Sequence, residues 1–295
     1  MHADSRLRAD LALVLVAVFW GVTFPLIRGA MEELSPVQFV AWRFSLAAVA
    51  FLPLLLGSTE ARRALPALLP AGFLLGSIAG LSYFTQTWGL QTVPAGRAAF
   101  ITALNVVIVP LLAPLFRAGR PQPLDFAAAL VATGGLYLMT VGQEGFGSAL
   151  GMGDFWVLVC ATSYAVYILV LQRVLARPRN AVALAFAQIG AIALLADIAL
   201  AGTGPIRIPL TAWVLGALLF CAMLATVATF WLQARFQGHT TAQRVALIFA
   251  LEPVFATLFA WWLLGETMGL IGMFGAVLVL GAVLGVELLG ARDSA

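Results

Sequence analysis

A single carboxylate lies in the middle of a long apolar stretch near the end of the sequence. Glu252 follows the segment VALIFAL and precedes PVFATLFAWWLL. An acidic side chain in such surroundings can carry a proton, bind a cation or hold the amine of a substrate. It can also be a protonated or hydrogen-bonded structural acid beside Pro253, which weakens the helix. The stretch alone leaves both interpretations open.

A second copy of this pattern lies 147 positions earlier, where Asn105 takes the place of Glu252. Three other matched pairs share this spacing: Tyr83 with Phe230, Gln86 with Gln233, and Arg97 with Arg244. Two copies, each with a polar group at its apolar centre, are typical of a membrane protein that arose by duplication. The functional site of such a protein is expected where the copies meet.

The composition of the chain indicates an integral membrane protein. Of its 295 residues, 62% are hydrophobic and 10% are charged, with a mean hydropathy of +1.02, whereas soluble domains carry about 25% charged residues. The apolar runs are continuous rather than alternating, so they predict an all-α fold and not barrel strands. Ten runs approach the roughly 20 residues that a spanning helix needs. They lie at 11–27, 37–56, 67–90, 98–116, 124–141, 155–175, 181–200, 210–234, 241–264 and 268–289.

The arginines predict the orientation of the chain, because cytoplasmic loops of membrane proteins carry an excess of basic residues. With a cytoplasmic N-terminus, eleven arginines at loops and helix ends face the cytoplasm and only two, Arg28 and Arg207, face the outside. The N-terminus and the C-terminus are therefore both predicted to be cytoplasmic. The cytoplasmic arginines are Arg6, Arg8, Arg62, Arg63, Arg117, Arg120, Arg173, Arg177, Arg179, Arg235 and Arg292.

The ten predicted helices divide into two copies of five, residues 11–141 and residues 155–289, joined by the glycine-rich segment Gly142–Gly153. Because five is an odd number, the two copies must cross the membrane in opposite directions and form an inverted repeat. Two such halves can exchange conformations and open a central cleft to each side in turn. The arrangement predicts a transporter that works by alternating access.

Several short motifs lie at defined places in these spans. They are Phe19-Trp20-Gly21, Phe24-Pro25, Ala41-Trp42-Arg43-Phe44, Gly134-Gly135, Leu251-Glu252-Pro253-Val254-Phe255-Ala256, Leu264-Gly265-Glu266, Gly275 and Gly281. In these motifs the chain resembles the drug/metabolite transporter superfamily, and specifically its ten-helix EamA-like permeases. The resemblance covers both copies, although the first copy lacks the Leu-Gly-Glu ending. It implies export or exchange of small metabolites, often amino acids or related compounds, across a bacterial inner membrane.

Eight side chains are candidates for substrate binding, because they lie at mid-depth in their spans or match a residue of the other copy. They are Trp20, Tyr83, Gln86, Asn105, Tyr164, Phe230, Gln233 and Glu252. Core packing of the aromatic rings and a helix-to-helix hydrogen bond of the asparagine are the alternatives. The expected cavity is lined by the first, third, fourth, sixth, eighth and ninth spans.

Arg43 lies too deep in the second span to reach the membrane surface easily. It can bind an anionic group such as a substrate carboxylate, or it can tie helices together. Because the resemblance implies an arginine here whatever the substrate, a structural or gating role is favoured. Glu252 and Arg43 are therefore the predicted coupling or gating residues. Arg97 and Arg244 are expected to mark span ends, with gate charges as the alternative.

The predicted function is secondary transport of a small metabolite, an amino acid or related compound, by a multi-pass protein of the cell inner membrane. A lipid-carrier flippase and a passive channel are the alternatives. No enzyme activity, cofactor or metal is expected, because His2 and His239 are the only histidines and no HExxH, P-loop or dinucleotide motif occurs. Cys160 and Cys221 are expected to be packing residues. The expected partners are a small-molecule substrate and the lipid bilayer, with no nucleic acid, and the protein is expected to be a monomer or weak dimer.

Overall fold

The structure, a computed structural model, describes residues 3–117, 121–144, 151–177, 179–203, 211–264 and 269–292, with their side chains except in 3–5, 140–144, 260–264 and 287–292. These residues form thirteen α-helices and no strand. The helices are α1 Ala3–Ala30, α2 Pro36–Gly57, α3 Thr59–Gly89, α4 Ala95–Ala103, α5 Asn105–Leu112, α6 Pro123–Glu144, α7 Met152–Val174, α8 Ala181–Ala201, α9 Ala212–Ala222, α10 Thr229–Phe236, α11 Ala242–Phe249, α12 Glu252–Leu264 and α13 Leu270–Arg292.

Some residues used in the sequence analysis lie outside the described part of the chain. They are His2, Arg120, residues 145–150, Arg207, Gly265 and Glu266.

The helices have the length and the outward-facing surface of a multi-pass membrane protein, as predicted. Within the described residues, eight helical segments are long and apolar enough to cross a membrane, and two shorter apolar helices cover Pro123–Met139 and Leu270–Val286. Large apolar side chains such as Leu115, Leu130 and Phe274 are exposed on the outside of the bundle. Lipid favours such a surface, since the hydrocarbon offers no partner for polar groups.

Polar caps explain where several of the helices begin. The Ser35 side chain accepts a backbone N–H at the start of α2, and Gln38 completes a capping box there. Asn180 and Thr241 cap α8 and α11 in the same way. Each cap satisfies a backbone donor that the first helical turn leaves free.

The fourth and ninth spans, predicted as continuous helices, are each broken near the middle. The first break lies at Leu104 (φ −60°, ψ −10°), directly before Asn105. The second lies at Ala250 (φ −63°, ψ −11°) and Leu251, directly before Glu252. In both copies the second half-helix therefore begins at the matched polar residue.

Proline explains only part of this arrangement. Pro253 has no N–H to donate to the Phe249 carbonyl, which favours the break before α12. Val106 occupies the matched position in the first copy, and that span is broken as well. The break is thus a property of the packed fold rather than of one residue.

The eighth span contains a widened turn. A π-helical segment, Met223–Ala228, separates α9 from α10. The Thr226 hydroxyl donates to the Cys221 carbonyl at 2.7 Å, five residues back, which matches the wider turn. A π-helical turn redirects the backbone carbonyls and is frequent at functional sites. Here it presents the Ala225 carbonyl to side chains of α1 and α2.

Close helix contacts occur where the chain has small residues. In the contact between α6 and α13, a Cβ added at Gly135 would lie 2.5 Å from the Gly275 carbonyl oxygen. The Gly72 and Gly76 positions of α3 face Ala187 and Ala191 of α8 in a similar way. Small residues let helix backbones approach closely in lipid, where no hydrophobic force draws helices together.

Gly135→Ala is expected to lower the free energy of unfolding by about 1–3 kcal/mol, since the neighbouring atom is backbone and cannot rotate away. Gly134→Ala is the matched control, because a Cβ there meets nothing within 4 Å and alanine favours a helix by about 1 kcal/mol. Unfolding of both variants in detergent measures the difference. Equal effects of the two substitutions would contradict the close packing of α6 on α13.

Candidate substrate cavity

A polar cavity lies inside the helix bundle. Its walls come from α1, α2, α3, α4, α5, α7 and α12, and its volume is about 30 Å³. That space holds one or two water molecules, whereas ligand pockets usually measure about 300–1,000 Å³. The structure therefore describes a contracted cavity. The lining residues are Trp20, Thr23, Arg43, Ser82, Tyr83, Gln86, Thr102, Asn105, Cys160, Tyr164 and Glu252.

The two broken spans place Asn105 and Glu252 in the same cavity. Glu252 is 5% exposed, and it forms no hydrogen bond or ion pair with any residue that the structure describes. Asn105 is 2% exposed, and its Oδ1 atom has no hydrogen-bond partner among those residues. Each residue begins a half-helix, where the backbone N–H groups and the helix dipole favour negative charge. The two breaks thus place polar side chains and helix N-termini at the centre of the bundle, where they can contact a polar ligand.

Two hydroxyl groups add to this unpartnered set. Within the described residues, the Tyr83 hydroxyl and the Thr102 Oγ1 atom are buried without a hydrogen-bond partner. A buried polar group that lacks a partner costs about 1–3 kcal/mol. Such groups are uncommon in folded proteins, and several on one cavity wall indicate a place for water or a ligand.

Arg43 is held mainly by the protein. Its Nε donates to the Thr226 hydroxyl and its Nη2 to the Ala225 carbonyl, both at 2.8 Å. Its guanidinium also lies 4.7 Å from the ring centroid of Tyr83, within range of a cation–π contact. Among the described residues, none accepts from Nη1. Arg43 therefore ties α2 to the π-helical segment and keeps one donor group for the cavity.

Aromatic rings form the apolar part of the wall. Trp20 meets Tyr164 edge-on with ring centroids 5.3 Å apart, and its Nε1 donates to the Ala225 carbonyl at 3.2 Å. Tyr83 stacks on Phe230 at 6.1 Å. Trp20, Tyr83 and Tyr164 line the cavity, whereas Phe230 lies behind Tyr83 and is not part of the lining.

The two matched glutamines take different places. Gln86 lines the cavity. Gln233 lies behind the wall, where its Oε1 accepts from the Tyr164 hydroxyl at 2.9 Å and its Nε2 donates to Gln237 at 3.3 Å. Gln237 in turn donates to the Ile168 carbonyl. This chain of hydrogen bonds satisfies Gln233, so it fixes the Tyr164 ring rather than meeting a ligand.

Two ion pairs, one partly buried and one buried, join the copies on either side of the cavity. Arg97 of α4 makes a two-point contact with Asp154 of α7, at 2.7 and 3.1 Å. Arg244 of α11 lies 3.7 Å from Asp10 of α1. The two arginines are matched by the 147-residue offset, and the aspartates lie 144 positions apart, as do Trp20 and Tyr164.

The two pairs lie at opposite ends of the bundle. Helices α1, α2, α3 and α4 follow one another through short connections, so α1 and α4 begin at opposite ends. Asp10 is ten residues before Trp20, and Asp154 is ten residues before Tyr164, which is about 15 Å along a helix in each case. The cavity therefore lies between the two ion pairs.

Four lining residues were missed by the sequence analysis: Thr23, Ser82, Thr102 and Cys160. Each lies three or four positions from a predicted residue, namely Trp20, Gln86, Asn105 and Tyr164 respectively. Residues with that spacing share one face of a helix, so the signal was available. The acidic partners Asp10 and Asp154 had no such local signal.

Comparison with known proteins agrees with this architecture. The profile of the EamA-like transporter family matches the chain twice, over residues 7–141 and 151–288. An uncharacterized transporter of Archaeoglobus fulgidus is 36% identical over 285 residues, which cover 96% of this chain and 87% of that protein. A probable terminal-alkyne amino-acid exporter of Streptantibioticus cattleyicolor is 31% identical over 172 residues, 58% of this chain and 57% of that protein.

A solved crystal structure has the same fold, with a TM-score of 0.79 over 98% of this chain and 100% of its own. Its sequence is 19% identical, so the likeness concerns the fold alone. The family profile covers nearly the whole chain in two tandem matches. The chain therefore belongs to the EamA-like transporter family, within the drug/metabolite transporter superfamily.

Proposed function

We propose that this protein is a secondary transporter that carries a small zwitterionic metabolite, an amino acid or a close relative, by alternating access. The observation that carries the proposal is the buried Glu252 carboxyl, which lines a central cavity without a partner among the described residues. An ionisable group inside a membrane protein is costly and is usually functional. The exporter of Streptantibioticus cattleyicolor, named for amino acids, supports the same substrate class.

The chemistry of the wall suits a zwitterion. The Glu252 carboxylate can accept hydrogen bonds from a substrate amine, and the free Nη1 group of Arg43 can donate to a substrate carboxylate. Asn105, Thr102 and the Tyr83 hydroxyl offer further polar contacts. The rings of Trp20 and Tyr164 suit an apolar side chain. Because the Glu252 carboxyl can also carry a proton, the same group can couple transport to pH.

The two ion pairs act as gates in this proposal. The Arg97–Asp154 pair closes the outer end of the cavity and the Asp10–Arg244 pair closes the cytoplasmic end. Each pair joins a helix of the first copy to a helix of the second, so breaking it lets the halves separate at that end. The contracted cavity, with both pairs in contact, corresponds to the state between the two open ones.

The topology belongs to the same proposal. Ten spans in two inverted repeats, residues 11–141 and 155–289, with both termini in the cytoplasm, give the halves the relation that alternating access needs. The two family matches support the division. The excess of arginines on one side supports the orientation and a place in the cell inner membrane.

A lipid-carrier flippase ranks second. An apolar groove of about 510 Å³ lies on the outside of the bundle between α3 and α7, and Leu81, Phe155 and Leu158 are among its walls. It shares no lining residue with the polar cavity in the described part of the chain. A flippase needs the headgroup site and the lipid-facing groove to be continuous, so the separation favours a soluble substrate.

Counterflow in proteoliposomes tests the substrate class. Among amino acids, nucleosides, sugars and simple amines, exchange is expected for amino acids with apolar side chains. Loss of the carboxyl in Glu252→Gln removes the charged partner of the amine, so the exchange rate is expected to fall by about tenfold or more, with its pH dependence lost.

Glu32→Gln is the matched control, since Glu32 is exposed in the turn after α1 and the substitution makes the same chemical change. Unaltered exchange and pH dependence in Glu252→Gln would reduce Glu252 to a structural acid. Lipid scrambling without solute exchange would support the flippase instead.

Paired neutralisation tests the gates. Arg97→Gln/Asp154→Asn weakens only the outer gate, and should increase the apparent affinity for substrate outside and decrease it inside. Asp10→Asn/Arg244→Gln should shift both affinities the opposite way. A coupling free energy of 1–3 kcal/mol between gate and substrate site corresponds to a change of about 5–150-fold in the apparent affinity for substrate. Half-saturating substrate concentrations in right-side-out and inverted vesicles measure both shifts.

Neutralising both members of a pair leaves no lone buried charge, which keeps the effect on folding small. A purely structural pair would lower the stability and move the two affinities together. Shifts of the same sign in both double variants would therefore contradict the gate assignment.

A further inference from the structure

The end of the bundle predicted to face the cytoplasm carries a pocket that shares no described lining residue with the polar cavity. It lies where α7 ends, α8 begins and α10 ends, with a volume of about 290 Å³. Three arginines, Arg177, Arg179 and Arg235, line it together with His239. We call this site the arginine pocket. A second depression of about 550 Å³ adjoins it and shares Arg179 and Arg235.

The charges of the arginine pocket are not neutralised inside the protein. All three arginines are exposed, and none forms an ion pair with a carboxylate that the structure describes. Arg179 makes one weak contact, from Nε to the Val174 carbonyl at 3.5 Å. The adjoining depression has a single described acid, Glu60. The general excess of arginine in cytoplasmic loops explains why these residues lie on this side of the membrane. It does not require three arginines to converge on one pocket.

The surroundings of the pocket fit an anion that is attached to apolar chains. Ala181, the first residue of α8, lines both depressions, so the N-terminus of this long helix adds backbone N–H groups and a partial positive charge. The adjoining depression continues along Ala64, Val182 and the exposed Trp231. Tryptophan favours the level of the lipid headgroups.

We propose that the arginine pocket binds the phosphate of an anionic phospholipid, with the acyl chains lying along Trp231 and Val182. Arginine holds phosphate oxygens by paired hydrogen bonds, and basic pockets between membrane helices are suited to anionic headgroups. The site joins α7, α8 and α10, which all belong to the second copy. It is separate from the cavity and does not rest on the proposed transport activity.

Lipid titration of the detergent-solubilised protein, followed by native mass spectrometry, tests the proposal. Phosphatidylglycerol is expected to bind more tightly than phosphatidylcholine. Arg179→Gln/Arg235→Gln should weaken its binding by about thirtyfold, since each arginine near the surface contributes roughly a fivefold factor. Arg62→Gln/Arg63→Gln is the matched control, because it removes the same charge at the same end of the bundle from residues outside the pocket.

Several outcomes would overturn the proposal. Equal weakening by the two double variants would show attraction to the overall charge instead of a site. Equal binding of phosphatidylcholine would exclude recognition of anionic lipid. Inorganic phosphate that displaces phosphatidylglycerol at low millimolar concentration would identify a soluble-anion site. The comparison of lipids and phosphate uses the wild-type protein, so it does not depend on the folding of any variant.

Discussion

A polar group inside a membrane must find its partner within the protein, because the hydrocarbon offers none. Most buried polar groups in the described part of the chain meet that requirement. Arg43 is held by the π-helical segment, Gln233 by a chain of hydrogen bonds, and the arginines of α4 and α11 lie beside aspartates. The exceptions that line the cavity, among the described residues, are Glu252, the Asn105 Oδ1 atom, the Tyr83 hydroxyl and the Thr102 Oγ1 atom. These unpartnered groups share one cavity. A substrate bound there would supply the hydrogen-bond partners that the protein does not.

The two copies share a frame and differ in chemistry. Both break their fourth span directly before a polar residue, with closely similar backbone angles at the break. The residue is Asn105 in one copy and Glu252 in the other. Arg43 lines the cavity, whereas Gln188, which lies 145 positions later in the second span of the second copy, is buried away from the cavity and accepts from the Tyr167 hydroxyl. A symmetric frame suits exchange of conformations between the halves, and an asymmetric wall suits recognition of a substrate with two different ends.

The sequence was sufficient for the features that depend on composition and period. Apolar runs predict the helices because lipid leaves few alternatives, and the 147-residue offset brings Asn105 and Glu252 to one cavity. The sequence was insufficient for the local features that three-dimensional packing determines. The break at Leu104 has no adjacent proline, and the π-helical turn has no local signature. Gln86 and Gln233 look equivalent in the sequence, yet Gln86 lines the cavity whereas Gln233 accepts a hydrogen bond from the Tyr164 hydroxyl behind its wall.

In the proposed mechanism the cavity between the copies opens to each side of the membrane in turn. Cys160 lines that cavity, and Cys221 is buried in α9 outside it. A membrane-impermeant thiol reagent can therefore be applied to the Cys221→Ala protein in right-side-out and in inverted vesicles, with Cys160→Ala as the control. Alternating access predicts modification of Cys160 from both faces, slowed by substrate, and no modification of Cys221. Modification of Cys160 from one face only would contradict it.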